Sequence, residues 1–528
     1  MTTAGSLAVL SCLLGFASFP QSTGSHQDAT ELLRQAQQFL GQKDYQQARL
    51  AASRALQLDP ASAAAENLVG TAEFGLGNLA VAGAHFRRAL EIDPHFVRAH
   101  RSLGAVYLKQ KLLEEAGREF QAVLTAYPDD FIARYSLGLT LLLQHQPAQA
   151  LPQFEKASAL DRNDPAPLMG ALQAQLELKQ AGPARAVLRE LDNRLAPRDP
   201  RRLQLAFLLT QHGSYDLAIP EFERLRAAAP DNYDINYNLA LAYHRTGKQS
   251  EAAAVLETML ARHQSAELRD LLAEVEASRG NHTEALQSYR RAAELEPRNE
   301  DYRFNYAEAL VSSGSLDAAL QEFAAATRDF PSSTRMWLGY GTVCYLKGNY
   351  QEAAQTFLHA TDVAPRAPEA YYLLGRAYDA SGPRQEEISR RLQLYLETAP
   401  RDPWAHLFYG RILASPNSSK SQKDLTSAQR HLETAVRLAD SFAEAHFELG
   451  KVLEAQGELA SSRRELERAV ALDPKLSAAY YKLGQVYQRL GDPAQATKAF
   501  QQFQQAKAHE RAGPEREKLL QVLRQARK

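Results

Sequence analysis

The sequence predicts an all-α array of short helix pairs rather than a set of compact domains, and three observations carry that reading. Pro60, Pro94 and Pro128 fall at intervals of 34 residues. Within the stretch Val97 to Pro128 a small residue follows an apolar one early, at Leu103-Gly104, and an alanine stands four residues before an aromatic late, at Ala116 and Phe120. No segment alternates apolar and polar residues with strand period over a useful length. A chain of 528 residues is too long for one ordinary core, and an array that grows by adding units absorbs the surplus.

Residues 1–28 stand outside the repeat. Leu7 to Phe19 is apolar apart from Ser11 and Ser18, and Gln21 to Gln27 turns small and polar, as in a secretory signal and its tail. About 13 apolar residues reach only about 20 Å as a helix, short of a bilayer core of about 30 Å, so no stable membrane span is expected. Gly15-Phe16-Ala17 and Ser22-Thr23-Gly24 are candidate cleavage sites. The departure from the pattern is at the front, where no lysine or arginine precedes Arg34. The reading is an exported protein, periplasmic or extracellular; the alternative is a cytoplasmic protein with an apolar tail. The mass of the native N terminus separates the two.

Residues 29–508 can then be laid out unit by unit. Leu32, Ala36, Phe39, Ala48, Ala55 and Pro60 make the first unit, and Val69-Gly70, Ala82, Phe86, Ala89 and Pro94 the second. The stretch Val97 to Pro128 is the third. The fourth has Leu137-Gly138, Leu141, Ala150, Phe154 and Ala157, with its stop displaced to Pro165. The fifth, 165–197, is degenerate, with Ala184, Leu188 and Leu191 in approximate place. Leu205-Ala206 and Phe222 mark the sixth, Leu239-Ala240 and Leu256 the seventh, Leu272-Ala273 and Tyr289 the eighth, and Tyr306-Ala307 and Phe323 the ninth. The tenth has Trp337, Tyr340-Gly341, Cys344 and Phe357; the eleventh has Leu374-Gly375 and a blurred second helix. The twelfth carries Tyr409-Gly410 and an inserted polar loop at 415–424. Leu449-Gly450 with Leu466 and Leu483-Gly484 with Phe500 complete the series. In 509–528, Leu519, Leu520, Val522 and Leu523 share one helical face, the pattern of a helix that caps the last unit.

This register resembles the tetratricopeptide repeat (TPR), a helix-turn-helix unit. The resemblance implies a right-handed superhelical solenoid of antiparallel helix pairs, about 14 of them, with a C-terminal capping helix. The small residues allow close helix approach and the aromatics fill the space beside them. Gly247 before Ser250-Glu251, Gly280 before Thr283-Glu284 and Gly491 before Asp492-Pro493 pair a left-handed stop with an expected N-cap.

Composition narrows the function. Lysine and arginine number 61 against 62 aspartates and glutamates, so no global field steers the chain toward nucleic acid or an anionic membrane. Cys344 is the one cysteine outside the leader-like stretch, and no basic or histidine neighbour is evident to activate it, which makes it a packing residue. The array leaves no room for a separate catalytic domain, and the sequence has no Gly-rich phosphate loop, His-Glu-x-x-His or paired CxxC. No cofactor, metal or catalytic residue is therefore assigned. His95 and His100 lack ligand spacing on a helix face. Asn281-His282-Thr283 and Asn417-Ser418-Ser419 match a glycosylation sequon.

The resemblance further implies a concave groove lined by the first helix of each unit, with the fifth residue of that helix facing inward. Those positions hold Tyr135, Tyr237, Phe304, Tyr372, Phe447 and Tyr481, with Phe207 and Trp404 nearby. These aromatics either grip an extended peptide or apolar helix, or pack against the next unit. Arg98, Arg101 and Lys109 form a basic stretch, and Glu267, Asp270, Glu274, Asp301 and Glu308 an acidic one. The carboxylate clamp of some family members is incomplete here, because Ile132, Tyr135 and Leu139 follow Arg98 and Arg101. The expected function is a non-enzymatic scaffold that binds protein or peptide partners in the groove, in cell-envelope or secretion assembly. The alternatives are a cytoplasmic regulatory or assembly adaptor and, further off, a glycosyltransferase-associated repeat protein.

Overall fold

A computed structural model describes residues 25–415, 422–509 and 514–525. The N-terminal stretch with its cleavage candidates and the sequon at Asn417 lie outside them. The described residues contain 29 α-helices and two short 3-10 turns, with no strand. Twenty-eight of the helices form fourteen consecutive pairs, and the last stands alone. They divide into two compact units, one ending at Val255 and one beginning at Leu256.

In the first unit, the third pair shows how the repeat is built. Its helices are Val97–Lys109 and Leu113–Ala126, and Ala116 and Phe120 are buried at their crossing. A β-carbon on Gly104 would lie 2.7 Å from the Phe120 ring, so the small residue makes room for that ring. The same spacing places Gly70 against Phe86 and Gly138 against Phe154. The fifth pair, degenerate in sequence, is regular in structure: Ala166–Glu177 and Ala181–Arg194, with Ala184 and Leu191 fully buried. Its small residue Gly170 meets Phe154 of the preceding pair, which obscures the pattern within the unit itself.

The turns follow the expected stop signal and depart from the expected caps. Gly280 and Gly491 adopt φ of +83° and +78°, where a β-carbon would be strained. Asp492 does cap its helix, accepting from the backbone N–H of Gln495 at 3.0 Å. Ser250 and Thr283, by contrast, lie inside Gln249–Leu260 and His282–Leu295, because those helices start one turn position earlier than the Ser/Thr signal suggests. Lys43, Lys111, His145 and Lys179 take the left-handed position in four turns of the first unit, where no glycine marks it.

In the second unit, the largest apolar cluster joins Phe304, Phe323, Met336, Cys344, Phe357, Tyr372, Leu392 and Phe408. The eleventh pair begins as Pro368–Ala377, passes through 3-10 turns at Tyr378–Ala380 and Gly382–Arg384, and resumes as Gln385–Thr398; this interruption accounts for its blurred sequence. In the twelfth pair, Pro403–Leu413 and Gln422–Leu438, the expected loop is shorter than 415–424, since its last three residues already belong to the second helix. The final helix, Pro514–Gln525, is amphipathic as expected but placed differently. Leu519, Leu520 and Leu523 join the cluster around pairs nine to eleven instead of closing the last pair.

A recurrent tether, unmarked in the sequence, holds successive pairs together. The fourth residue of the first helix donates to the carbonyl that ends the preceding pair: His100 to Pro94 at 3.1 Å, Asn236 to Pro230 at 2.8 Å, Trp337 to Pro331 at 2.9 Å, Tyr371 to Pro365 at 3.0 Å and His446 to Asp440 at 3.0 Å. A carbonyl left by a terminating helix needs a donor, and side chains of four chemical kinds supply one. Two of these residues also reach forward 19 positions to the second helix, His100 to Glu119 at 2.7 Å and His446 to Glu465 at 2.7 Å. Two acceptors on one imidazole favour its doubly protonated form. The Glu119 hydrogen bond raises the His100 pKa, and the acceptors of His446 raise its pKa against the opposing effect of burial.

Candidate functional site

The fifth-position aromatics do not behave as one set. Phe304 and Tyr372 are 1% and 8% exposed and sit in the core of the second unit, so their rings support neighbouring helices. Phe304 meets Phe323 edge-on at 5.9 Å, and Tyr372 meets Trp404 at 4.7 Å and Phe408 at 5.7 Å. Half-buried Trp404 is held further by Phe442 at 4.1 Å. In the first unit Tyr135 stacks on Phe131 and meets Phe154, Tyr237 stacks on Tyr233, and Phe207 meets Phe222. These three residues are half-buried.

The charged stretches are largely paired. Arg101 lies 3.4 Å from Asp130, and Lys109 stands over the Phe74 ring at 5.4 Å. Arg98 is half-buried, and burial together with Arg101 pulls its guanidinium below its ordinary value. Among the acidic residues, Asn305 donates to Asp270 at 2.8 Å, Arg335 reaches Asp301 at 2.7 Å, and Arg524 reaches Glu308 at 2.9 Å. Glu267 is exposed and Glu274 half-buried on the same helix, Ala266–Arg279.

Phe447 and Tyr481 are brought together. They line a cleft of about 440 Å³ with Lys451, Ser477, Lys482, Phe503 and Lys507. Three helices build it: Ala443–Ala455, Ser477–Arg489 and Pro493–His509. Tyr481 is 46% exposed and touches the Phe503 ring at 5.3 Å. Lys451 and Lys507 stand over Phe447 and Phe503 at 5.2 and 5.4 Å. Lys451 also contacts Glu448 at 2.7 Å, and Lys482 contacts Glu454 at 2.8 Å. Rings flanked by ammonium groups suit an apolar side chain carried beside a carboxylate. The four lysine and phenylalanine positions beyond Phe447 and Tyr481 were missed in the sequence, although Phe447-x3-Lys451 and Phe503-x3-Lys507 repeat one spacing four residues long on a helix face.

Cys344 is buried, and burial pushes its thiol up to about 11, consistent with packing. No group of three potential metal ligands occurs among the described residues, and no helix among them is long and apolar enough to cross a membrane.

Short helices paired in register, small residues under aromatic rings and a stop at each pair define a helical-repeat protein. Tetratricopeptide repeat models match residues 73–137 and 209–275, residues 33–95, 271–334, 304–362 and 348–403, and residues 478–507, and a TPR repeat model matches 454–491. The chain belongs to the tetratricopeptide repeat family, whose members are in general protein-interaction scaffolds. No curated protein matches it. Solved structures similar to it include PilF of Pseudomonas aeruginosa, 23% identical over 43% of this chain and 100% of that one, with a TM-score of 0.35. Yeast Tom70 is 15% identical over 96% of each chain, with a TM-score of 0.31. A tetratricopeptide repeat protein from Parabacteroides merdae is 18% identical over 53% of this chain and 98% of that one, with a TM-score of 0.29. None reaches a TM-score of 0.5, so membership rests on the repeat models.

Proposed function

We propose that this chain is a non-enzymatic scaffold that holds peptide or protein partners on the first-helix faces of its pairs. The cleft of pairs thirteen and fourteen is the docking point for an acidic segment bearing an apolar side chain. The observation that carries the reading is the convergence of Phe447, Tyr481 and Phe503 with Lys451, Lys482 and Lys507 in one open cleft. The apolar stretch Leu7 to Phe19 supports placing the scaffold outside the cytoplasm, in envelope or secretion assembly.

The test is site-specific photo-crosslinking from position 478, beside Tyr481, in the native cell, compared between the unaltered chain and a Tyr481→Ser/Lys507→Glu variant. A specific adduct is expected in the first and a loss of at least about tenfold in the second, since an aromatic anchor and a charge are removed together. Melting should stay within a few degrees, because Tyr481 is exposed. An adduct that persists unchanged in the variant would sink the cleft assignment.

A further inference from the structure

Among the described residues, Pro514–Gln525 is the one helix that belongs to no pair. It lies on the first helices of pairs ten and eleven, Thr334–Leu346 and Pro368–Ala377. Leu519, Leu520 and Leu523 are 2%, 1% and 0% exposed. Charge fixes its placement at both ends. Arg524 donates to Glu308 of the ninth pair from Nε at 3.1 Å and from Nη2 at 2.9 Å, and Lys518 lies 3.5 Å from Glu444 of the thirteenth. The surface therefore already shows what it accepts: leucine-type side chains at i, i+1 and i+4, with a basic residue on either side.

This resident has no paired helix of its own and is held through one face. Its three leucines bury one face, and Lys518 and Arg524 are 51% and 49% exposed, so solvent weakens ion pairs whose carboxylates, Glu444 and Glu308, are 27% and 18% exposed. Helices with few buried contacts open locally at free energies below that of the whole fold. A tethered segment also competes at high effective concentration, which keeps the face closed to weak ligands and open to strong ones.

We infer that the first-helix face of pairs nine to eleven, completed by Glu444, is a receptor for an amphipathic basic helix. The chain's own C-terminal helix is its resident, and an external helix of the same chemistry binds by displacing it. The inference rests on the scaffold reading for the existence of an external partner, and the face it concerns shares with the aromatic–lysine cleft the helix Ala443–Ala455, through Glu444.

The experiment uses the full chain and a labelled synthetic peptide with the sequence of residues 514–525. The peptide should bind a Leu519→Glu/Leu523→Glu chain at least about tenfold more tightly than the unaltered chain, because the resident no longer competes. Adding Glu308→Lys should remove most of that gain. Equal binding to both chains, or tight binding insensitive to Glu308→Lys, would overturn the inference. A second measurement guards against misfolding of the leucine variant. Arg524→Glu and Glu308→Arg should each speed amide exchange across 514–525, and the two together should restore protection. Unchanged exchange in both single variants overturns the placement of the resident. Because exchange needs no partner, intact coupling alongside an adduct that persists unchanged in the Tyr481→Ser/Lys507→Glu variant would sink the cleft assignment alone.

Discussion

Phe154 shows how tightly single residues set the repeat. Its ring is held between Gly138 of its own pair and Gly170 of the next, where added β-carbons would lie 2.7 and 2.5 Å from ring atoms. Alanine would favour the helix by about 1 kcal/mol over glycine, but overpacking a full core costs about 1 to 3 kcal/mol. Gly170→Ala should therefore lower the urea midpoint, and Phe154→Leu in the same chain should recover part of the loss. The sequence showed Gly138 and Phe154 as framework residues. It did not show that Gly170 serves the preceding ring, because that contact joins pairs whose spacing had drifted with the displaced stop at Pro165.

At the scale of helices, the fifth position of each first helix is one register with two fates. Phe304 and Tyr372 lie where the face is covered, and Tyr481 lies where it is open. Serine at Phe304 or Tyr372 should cost on the order of 3 to 5 kcal/mol, the range for emptying a buried aromatic site, and should be read as a large drop in melting temperature. Serine at Tyr481 should leave melting nearly unchanged. A sequence register assigns position on a helix and is silent on which other helix covers it. The C-terminal helix illustrates the same limit: its leucine face was legible, whereas its choice of Glu308 and Glu444 was not, because those partners are distant in sequence.

Across the whole molecule, near-cancelling charge hides local couplings that titrate in opposite senses. His100 beside Glu119 and Asp93, and His446 beside Glu465 and Asp440, bind protons more tightly in the folded chain. Their stabilisation is complete below the unfolded histidine value of about 6.5 and is lost as pH rises through the higher folded values. His431 behaves oppositely. Burial, with His406 and Arg430 close by, brings its pKa down to about 4, so its contribution is present above about 6.5 and is lost as pH falls toward 4. In the twelfth pair His431 faces His406 at 2.9 Å, where pairs three and thirteen place Glu119 and Glu465. Melting measured from pH 4.5 to 8.5 should show Glu465→Gln destabilised most at the acid end, by about 1 to 3 kcal/mol, with the difference shrinking as pH rises. A difference independent of pH would remove the proton from this account.

Proline spacing, small residues and aromatics at fixed offsets determined that this chain is an array of helix pairs, because those signals act within about one unit's length and repeat. They reached even Cys344, a thiol that packs. Tertiary structure alone decided which faces stay open. Coverage depends on contacts between residues far apart in the chain, such as Arg524 with Glu308, and on side chains like Phe503 and Lys507 that become a site only when two pairs place them beside Phe447 and Tyr481. A local pattern fixes how each pair is built, and the free energy of burying one pair's surface against another fixes what is left for a partner to touch.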